Sequence, residues 1–266
     1  MIRRLACMAA VLSLAACDVS LGGLAGRATD EWTRTYKLNP GGELRIGNTN
    51  GRIEVEGSDD STVEVRAERI AKAVSNEAAR ELLPRIAINE DVKPDRVSIE
   101  TGRIGGIMIG AGVEVRYHVR APKSVHVNVS NTNGLITLKS LTGRVTAHTT
   151  NGGIRGNGLS GGVEATTTNG GVDVDFASIG ADRISLSTTN GGVTIDLPDN
   201  AKADVVAACT NGGISISGVK MQVTEQSRRR VEGKLNGGGT PIELSTTNGG
   251  IRIRSRPVAE KVTTRR

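Results

Sequence analysis

Seven times along the chain the apolar positions fall into one frame around a Thr-Asn-Gly tripeptide, whose asparagines are Asn50, Asn133, Asn151, Asn169, Asn190, Asn211 and Asn248. Six residues before each asparagine stand Leu44, Val127, Val145, Val163, Ile184, Val205 and Ile242; four before stand Ile46, Val129, Ala147, Ala165, Leu186, Ala207 and Leu244. Three residues after come Ile53, Ile136, Ile154, Val172, Val193, Ile214 and Ile251; five after come Val55, Leu138, Gly156, Val174, Ile195, Ile216 and Ile253, with Gly156 the one break. Alternation at period two on both sides predicts a short strand, a corner and a second short strand in every copy, each strand burying one face. Asparagine and glycine suit the corner because both tolerate positive φ.

The asparagines are spaced 83, 18, 18, 21, 21 and 37 residues apart. Asn-Gly turns commonly mark antiparallel hairpins, which makes a meander the rival arrangement. The near-constant period favours stacked coils, because stacking gives every apolar column a matching neighbour. By parity each asparagine shares the face of the apolar residues before it, so its amide is expected to point inward and to join a hydrogen-bonded ladder. In chain order Asn190 would stand between Asn169 and Asn211, with Asn248 near the end. The position two before each asparagine holds Asn48, Asn131, Thr149, Thr167, Thr188, Cys209 or Thr246, so Cys209 reads as a structural residue rather than a reactive thiol. The 37-residue interval is expected to hold one degenerate coil, with SRRRVEGKLNGGG as a surface loop.

The 83-residue interval has its own pattern. Ser75 can cap a helix bearing Ala78, Ala79, Leu82 and Leu83, and Pro84 follows where that helix should stop. Strands are expected around Val63 and Val65, Ile86 and Ile88, Val97 and Ile99, and Val113 to Val119. The glycine-rich stretch 102–112 reads as a hairpin packed on the coils, or as an exposed partner-binding loop.

The segments GGELRIGNTNGRIEVEGSDDSTVEV, SNEAARELLPRI and VEVRYHVRAPKSVHVNVSNTNGLITL, with the later TNGG units, resemble the bacterial adhesin-type β-strand-repeat family. This is a domain family of unknown function related to the auto-transporter adhesin head. The resemblance runs from about Glu31 to Arg254. It implies an all-β, single-stranded right-handed β-helix with one short helix inserted in the N-terminal half, often exported or lipid-anchored, and it implies no catalytic residues.

The start of the chain places that domain. Arg3 and Arg4 precede an apolar run from Leu5 to Leu14, the form of a secretory signal and too short to span a bilayer. Leu14-Ala15-Ala16-Cys17 is similar to a bacterial lipobox, in which cleavage before the cysteine exposes a thiol for diacylation. The expected organisation is a lipoprotein signal peptide at 1–16, a flexible tether at 17–30, the β-helix repeat domain at 31–256 and a basic tail at 257–266, with lipid attachment at Cys17. Asp18 resembles an inner-membrane retention residue, though either membrane of the envelope fits. With Cys7 removed and Cys17 acylated, Cys209 has no partner, which excludes a disulfide framework.

Composition narrows the chemistry. Trp32, Tyr36, Tyr117 and Phe176 are the only aromatic residues among 266, too few for base-stacking or sugar-stacking platforms. Residues 17–219 carry a net charge of −3, from 21 basic and 24 acidic side chains, whereas 220–266 carry +7, from 11 and 4. Arg228, Arg229, Arg230, Arg252, Arg254 and Arg256 are thus a candidate patch for an anionic envelope component or an envelope protein; as an alternative they belong to a solvated end cap. Nucleic acid does not suit an exported protein. His118, His126 and His148 lack partners at metal-ligand spacing, and Asp173 and Asp175 lack the glycines of a calcium-binding nonapeptide. No residue set calls for a cofactor or a metal. A polysaccharide-active enzyme would need clustered carboxylates; the outward positions offer isolated ones such as Glu164 and Asp173. The reading is a lipid-anchored envelope protein whose non-enzymatic β-helix serves binding, adhesion or scaffolding. The alternatives are a sensor of envelope stress or antimicrobial peptides, and the enzyme.

Overall fold

A computed structural model describes residues 25–102 and 110–256. The signal, Cys17, residues 103–109 of the glycine-rich stretch and the basic tail lie outside the described residues. The chain opens with β1 (Gly26–Lys37), then the first repeat copy as β2 (Glu43–Asn50) and β3 (Ile53–Ser58). The long interval follows as β4 (Thr62–Ala73), α1 (Asn76–Leu82), β5 (Ile88–Lys93), β6 (Arg96–Thr101) and β7 (Ala111–Pro122). Five copies come next: β8 (His126–Asn133) with β9 (Ile136–Lys139), β10 (Val145–Asn151) with β11 (Ile154–Leu159), β12 (Val163–Asn169) with β13 (Val172–Phe176), β14 (Ile184–Asn190) with β15 (Val193–Pro198), and β16 (Ala203–Asn211) with β17 (Ile214–Ser217). Then come β18 (Met221–Gln226), β19 (Arg230–Leu235), and the last copy as β20 (Thr240–Asn248) with β21 (Ile251–Arg256).

The fold is all-β, with two parallel-rich sheets. Every copy puts its first strand in one sheet and its second in the other, and equivalent residues stack in register: Val145 pairs with Val163, and Asn151 with Asn169. The apolar columns face each other between the sheets, where Leu44, Ile46, Ile53, Val55 and their counterparts are buried, except that Ile214 and Ile216 of the end coil are only partly covered. Each such Val, Leu or Ile removed from water contributes about 1.5–3 kcal/mol, which makes the columns the main stabilising term. Gly156 leaves no hole. A Cβ there would meet Leu159 Cδ1 at 2.8 Å, because Leu159 fills the column from further along the strand.

The coil order differs from the chain order. In the sheet of first strands the sequence of neighbours is β18-β19-β16-β20-β14-β12-β10-β8-β2-β6-β5, so the last copy lies between two earlier ones. Asn190 therefore stands between Asn169 and Asn248, and Asn211 occupies the end. Two charge pairs are formed in this order. Glu243 of β20 bonds Arg183, and Arg254 of β21 donates to Asp196 at 2.7 Å. Had β16 and β17 stacked directly on β14 and β15, Val206 and Ser217 would stand where these charges are needed.

Antiparallel strands border both sheets at the N-terminal end and the sheet of first strands at the other, where the second sheet ends on β17. Strands β1, β4 and β7 form a long curtain beside β3, and β5 pairs with β6 beside β2. At the other end β18 and β19 form an antiparallel hairpin along β16, with Val231 and Leu235 buried. The segment expected to be a surface loop thus contains strand β19, with turns on either side of it, and the 37-residue interval holds this hairpin instead of a degenerate coil. Strand β1 also begins at Gly26, inside the expected tether. Helix α1 forms as its signals require: Ser75 Oγ accepts from the Ala78 amide at 3.2 Å, and Pro84 sits in the 3-10 turn that follows.

Candidate functional site

The corners of the seven copies align into one edge. The glycine after each asparagine packs against the backbone of the neighbouring coil: a Cβ on Gly191 would lie 2.0 Å from Gly170 O, and one on Gly249 1.8 Å from Gly191 O. The carbonyls of these glycines are satisfied from the interior. Thr167, Thr188 and Thr246 donate their hydroxyls to Gly152 O, Gly170 O and Gly191 O at 2.8–2.9 Å, and Asn131 donates to Gly51 O at 2.8 Å. Cys209 occupies the same buried column in the end coil.

The asparagine side chains form a continuous run of hydrogen bonds. Asn211 donates to Asn248, Asn248 to Asn190, Asn190 to Asn169, Asn169 to Asn151, Asn151 to Asn133 and Asn133 to Asn50, all at 2.7–2.9 Å. This run does not point inward, as parity implies. Asn50 and Asn133 are half-buried and the other five are exposed, because the asparagine lies past the last interior pair, where the chain already swings toward the other sheet. Beside it the threonines of the tripeptide, from Thr49 to Thr247, are all exposed. The next outward row is small apart from His148: Gly47, Ser130, Thr166, Ser187, Ser245 and Ala208. With coils about 4.8 Å apart, this neutral strip of hydroxyls and amides is about 30 Å long.

A second surface feature lies where the curtain meets the coils, a concavity of about 800 Å³ between β1, β4, β7 and β3. Glu54, on its wall, bonds Lys139 and has His118 Nδ1 at 3.3 Å from its other oxygen. The Lys139 hydrogen bond holds the Glu54 carboxyl below the usual carboxylate range, so it is a poor proton donor. Two of the other carboxylates there are paired across strands, Asp30 with Arg69 at 2.5 Å and Glu31 with Arg66 at 2.8 Å, while Glu56 and Glu64 add carboxylates to the same lining. Sequence periodicity gave no sign of this feature, which arises from the antiparallel curtain.

The expected arginine patch is divided. Arg252 and Arg254 are exposed on β21 in one sheet, with Arg254 bound to Asp196. Arg228 and Arg229 are exposed at the turn of the hairpin on the other sheet, and Arg230 pairs with Glu225 and Glu232. The described residues give no position to the Arg256 side chain. Of the isolated carboxylates, Glu164 stands between Thr146 and Ser185, and Asp173 between Arg155 and Thr194. Neither has a carboxylate opposite it. Two residues beyond Asp173, Asp175 faces Asp196 in the row that Arg254 joins; Glu31 faces Glu68 in the curtain and Glu225 faces Glu232 in the hairpin. His118, His126 and His148 are exposed. Among the described residues no group of three or more His, Cys, Asp or Glu is placed to hold a metal, and no helix is long and apolar enough to cross a membrane.

No curated protein matches the chain. Among solved structures it is similar to a candidate cell-adhesion protein from Clostridium sporogenes, at 12% identity over 86% of this chain and 100% of that one, with a TM-score of 0.47. It is also similar to a candidate adhesin from Bacteroides fragilis, at 12% identity over 85% of this chain and 97% of that one, with a TM-score of 0.38. Residues 123–254, which include six of the seven Thr-Asn-Gly copies, match the Toastrack DUF4097 family.

Proposed function

We propose that this chain is a lipid-anchored protein of the bacterial cell envelope, held at Cys17, whose coils wind as a right-handed β-helix and present a non-enzymatic binding or scaffolding surface. The handedness follows from the strong preference of parallel strand crossovers for the right-handed path. The neutral strip is the binding face. One observation carries this reading: a protein with 23% charged residues keeps rows of exposed threonine and asparagine free of formal charge along the full stack. Exposed Arg228, Arg229 and Arg252 add a salt-sensitive attraction to anionic envelope components.

The test uses the full chain with Cys17→Ser, released from the membrane, and isolated envelope fragments as the probe. Placing charge in the strip, with Thr168→Glu and Thr189→Glu together, should weaken retention about tenfold or more, equivalent to ~1.4 kcal/mol, with unchanged melting. Arg228→Ser with Arg229→Ser should change mainly the salt dependence. Retention untouched by the strip variant removes the strip from the reading. Polysaccharide turnover abolished by Glu164→Ala or Asp173→Ala would replace binding with catalysis.

A further inference from the structure

We propose that the inserted C-terminal coil, Thr240–Arg256, is an exchangeable arm that can fill the same slot in a second copy of the chain, joining two copies by reciprocal exchange. The slot lies between β14 with β15 on one side and β16 with β17 on the other. The arm pairs with both sides in one register, Ile184 with Ile242 and Ile242 with Val205. Since the flanking coils match each other's columns through the arm, they can also meet directly when it is out. An open slot thus has a closed alternative that keeps the apolar columns packed but sets Ser217 opposite buried Asp196, so the arm is favoured over closure while closure still shields the columns during exchange.

The arm carries its own address. Glu243 meets Arg183 in one sheet and Arg254 meets Asp196 in the other, while Thr240 Oγ1 donates to Gly180 O at its start. Asp196 is buried, and the row it faces supplies no other cation, so a foreign strand without an arginine at that position would leave it unpaired. A second copy of this chain meets every one of these requirements, because exchange replaces each internal contact by the same contact between copies.

The connection is a hinge. Asn236, Gly237, Gly238 and Gly239 have φ of +47°, +92°, +88° and +155°, a run of left-handed conformations between β19 and β20. Leu235 and Thr240 both pair with Ala203, from opposite sides, which places them two strand spacings apart, about 10 Å. Five residue steps reach about 16–18 Å when extended, so the hinge is folded back on itself in the closed chain and has length to spare.

The native thiol provides the test. Cys209 and Thr246 are opposite each other in the parallel register, at about 4.8 Å between Cα atoms, a separation a disulfide can bridge. All chains carry Cys7→Ser and Cys17→Ser. One adds Thr246→Cys and Cys209→Ser; the other keeps Cys209 and Thr246. After unfolding, refolding together and oxidation, a mixed disulfide of twice the chain mass is expected on a non-reducing gel, since that bond forms only when the arm of one copy sits in the slot of the other. Size exclusion should show a dimer whose fraction rises about tenfold for a tenfold rise in concentration while it is the minor species. Deleting Gly237 and Gly238 removes the slack and should shift the population further toward dimer. A single chain that holds both thiols and oxidises internally shows that the pair can bond. Absence of the mixed disulfide beside that control, or a shortened hinge that stays monomeric at every concentration, overturns the proposal.

Discussion

Asn248 donates its side-chain amide to Oδ1 of Asn190 at 2.8 Å, although 58 residues separate them in sequence. That bond records the coil order. The ladder runs through chain positions 211, 248, 190 and 169, so the copy made last is stacked second from the end. All seven copies present the same columns, and apolar packing alone would accept several orders. Two charge pairs distinguish the observed order, and of these Arg254 beside Asp196 is the one with a buried partner.

The ladder predicts a graded response to amide removal. Asn190 both donates and accepts, whereas Asn211 donates to Asn248 at the end of the run. An exposed hydrogen bond contributes about 0.5–1.5 kcal/mol, because water replaces the lost partner. Asn190→Ala should therefore lower unfolding free energy by about 1–2 kcal/mol in urea titration, and Asn211→Ala by about half as much. Equal losses would mean that the amides do not act as a connected row.

The corner glycines predict a sharper contrast. Gly191 has φ +156°, and a Cβ there would lie 2.0 Å from Gly170 O, an overlap that backbone cannot yield to cheaply. Gly213, at the second position of its own corner, has nothing within 4 Å of an added Cβ. Gly191→Ala should cost about 3 kcal/mol or prevent coil stacking, the upper range for overpacked sites. Gly213→Ala should fall within about 0.5 kcal/mol of the parent. Thermal melts of the two variants side by side check this.

Alkaline conditions should weaken the N-terminal end first. Tyr117 is fully buried at the foot of the curtain, sharing a 2.8 Å hydrogen bond with Thr101, and burial pushes its hydroxyl up to about 12. Its folded value lies above its unfolded value of 10, so its contribution is complete below pH 10. It is lost as pH rises from 10 to 12, by about 3 kcal/mol at most, because only the unfolded chain can release the proton there. Burial raises Tyr36 as well, in the same direction. Tyr117→Phe should lose less stability between pH 8 and pH 11.5 than the parent, though it starts lower through the lost hydrogen bond. A parallel decline in both proteins would place the alkaline weakness elsewhere.

What could be read from the sequence was whatever repeats. The columns predict strand, corner and strand in all seven copies, and Ser75 with Pro84 brackets the helix. The exposed asparagines were misplaced because parity holds only while a strand continues, and the corner turns at that residue. The hairpin was hidden because Arg228 to Arg230 and the glycines around 237 outweigh the short alternation of Val231, Gly233 and Leu235, which are all buried. Insertion of the last coil brings together charge pairs whose members lie about 60 residues apart, a relation no local pattern carries. The concavity beside β3 is likewise made by strands β1, β4 and β7, which lie outside the repeat.

Cys209 marks the place where the corner pattern is incomplete, and repairing it should stabilise the end coil. In the neighbouring coils Thr246 and Thr188 donate from this column to Gly191 O and Gly170 O at 2.9 and 2.8 Å. The equivalent acceptor for the end coil is Gly249 O, and a thiol is a weak donor to it. Cys209→Thr is close in size, keeps the buried position and adds a hydroxyl with an acceptor already in place. A net gain of about 0.5–1.5 kcal/mol in urea titration is expected. Cys209→Val, of similar shape but without the donor, should gain none of this. If the two substitutions behave alike, the gain comes from packing against Val231, and the threonine-to-glycine bonds in the other coils are not what fixes the corner.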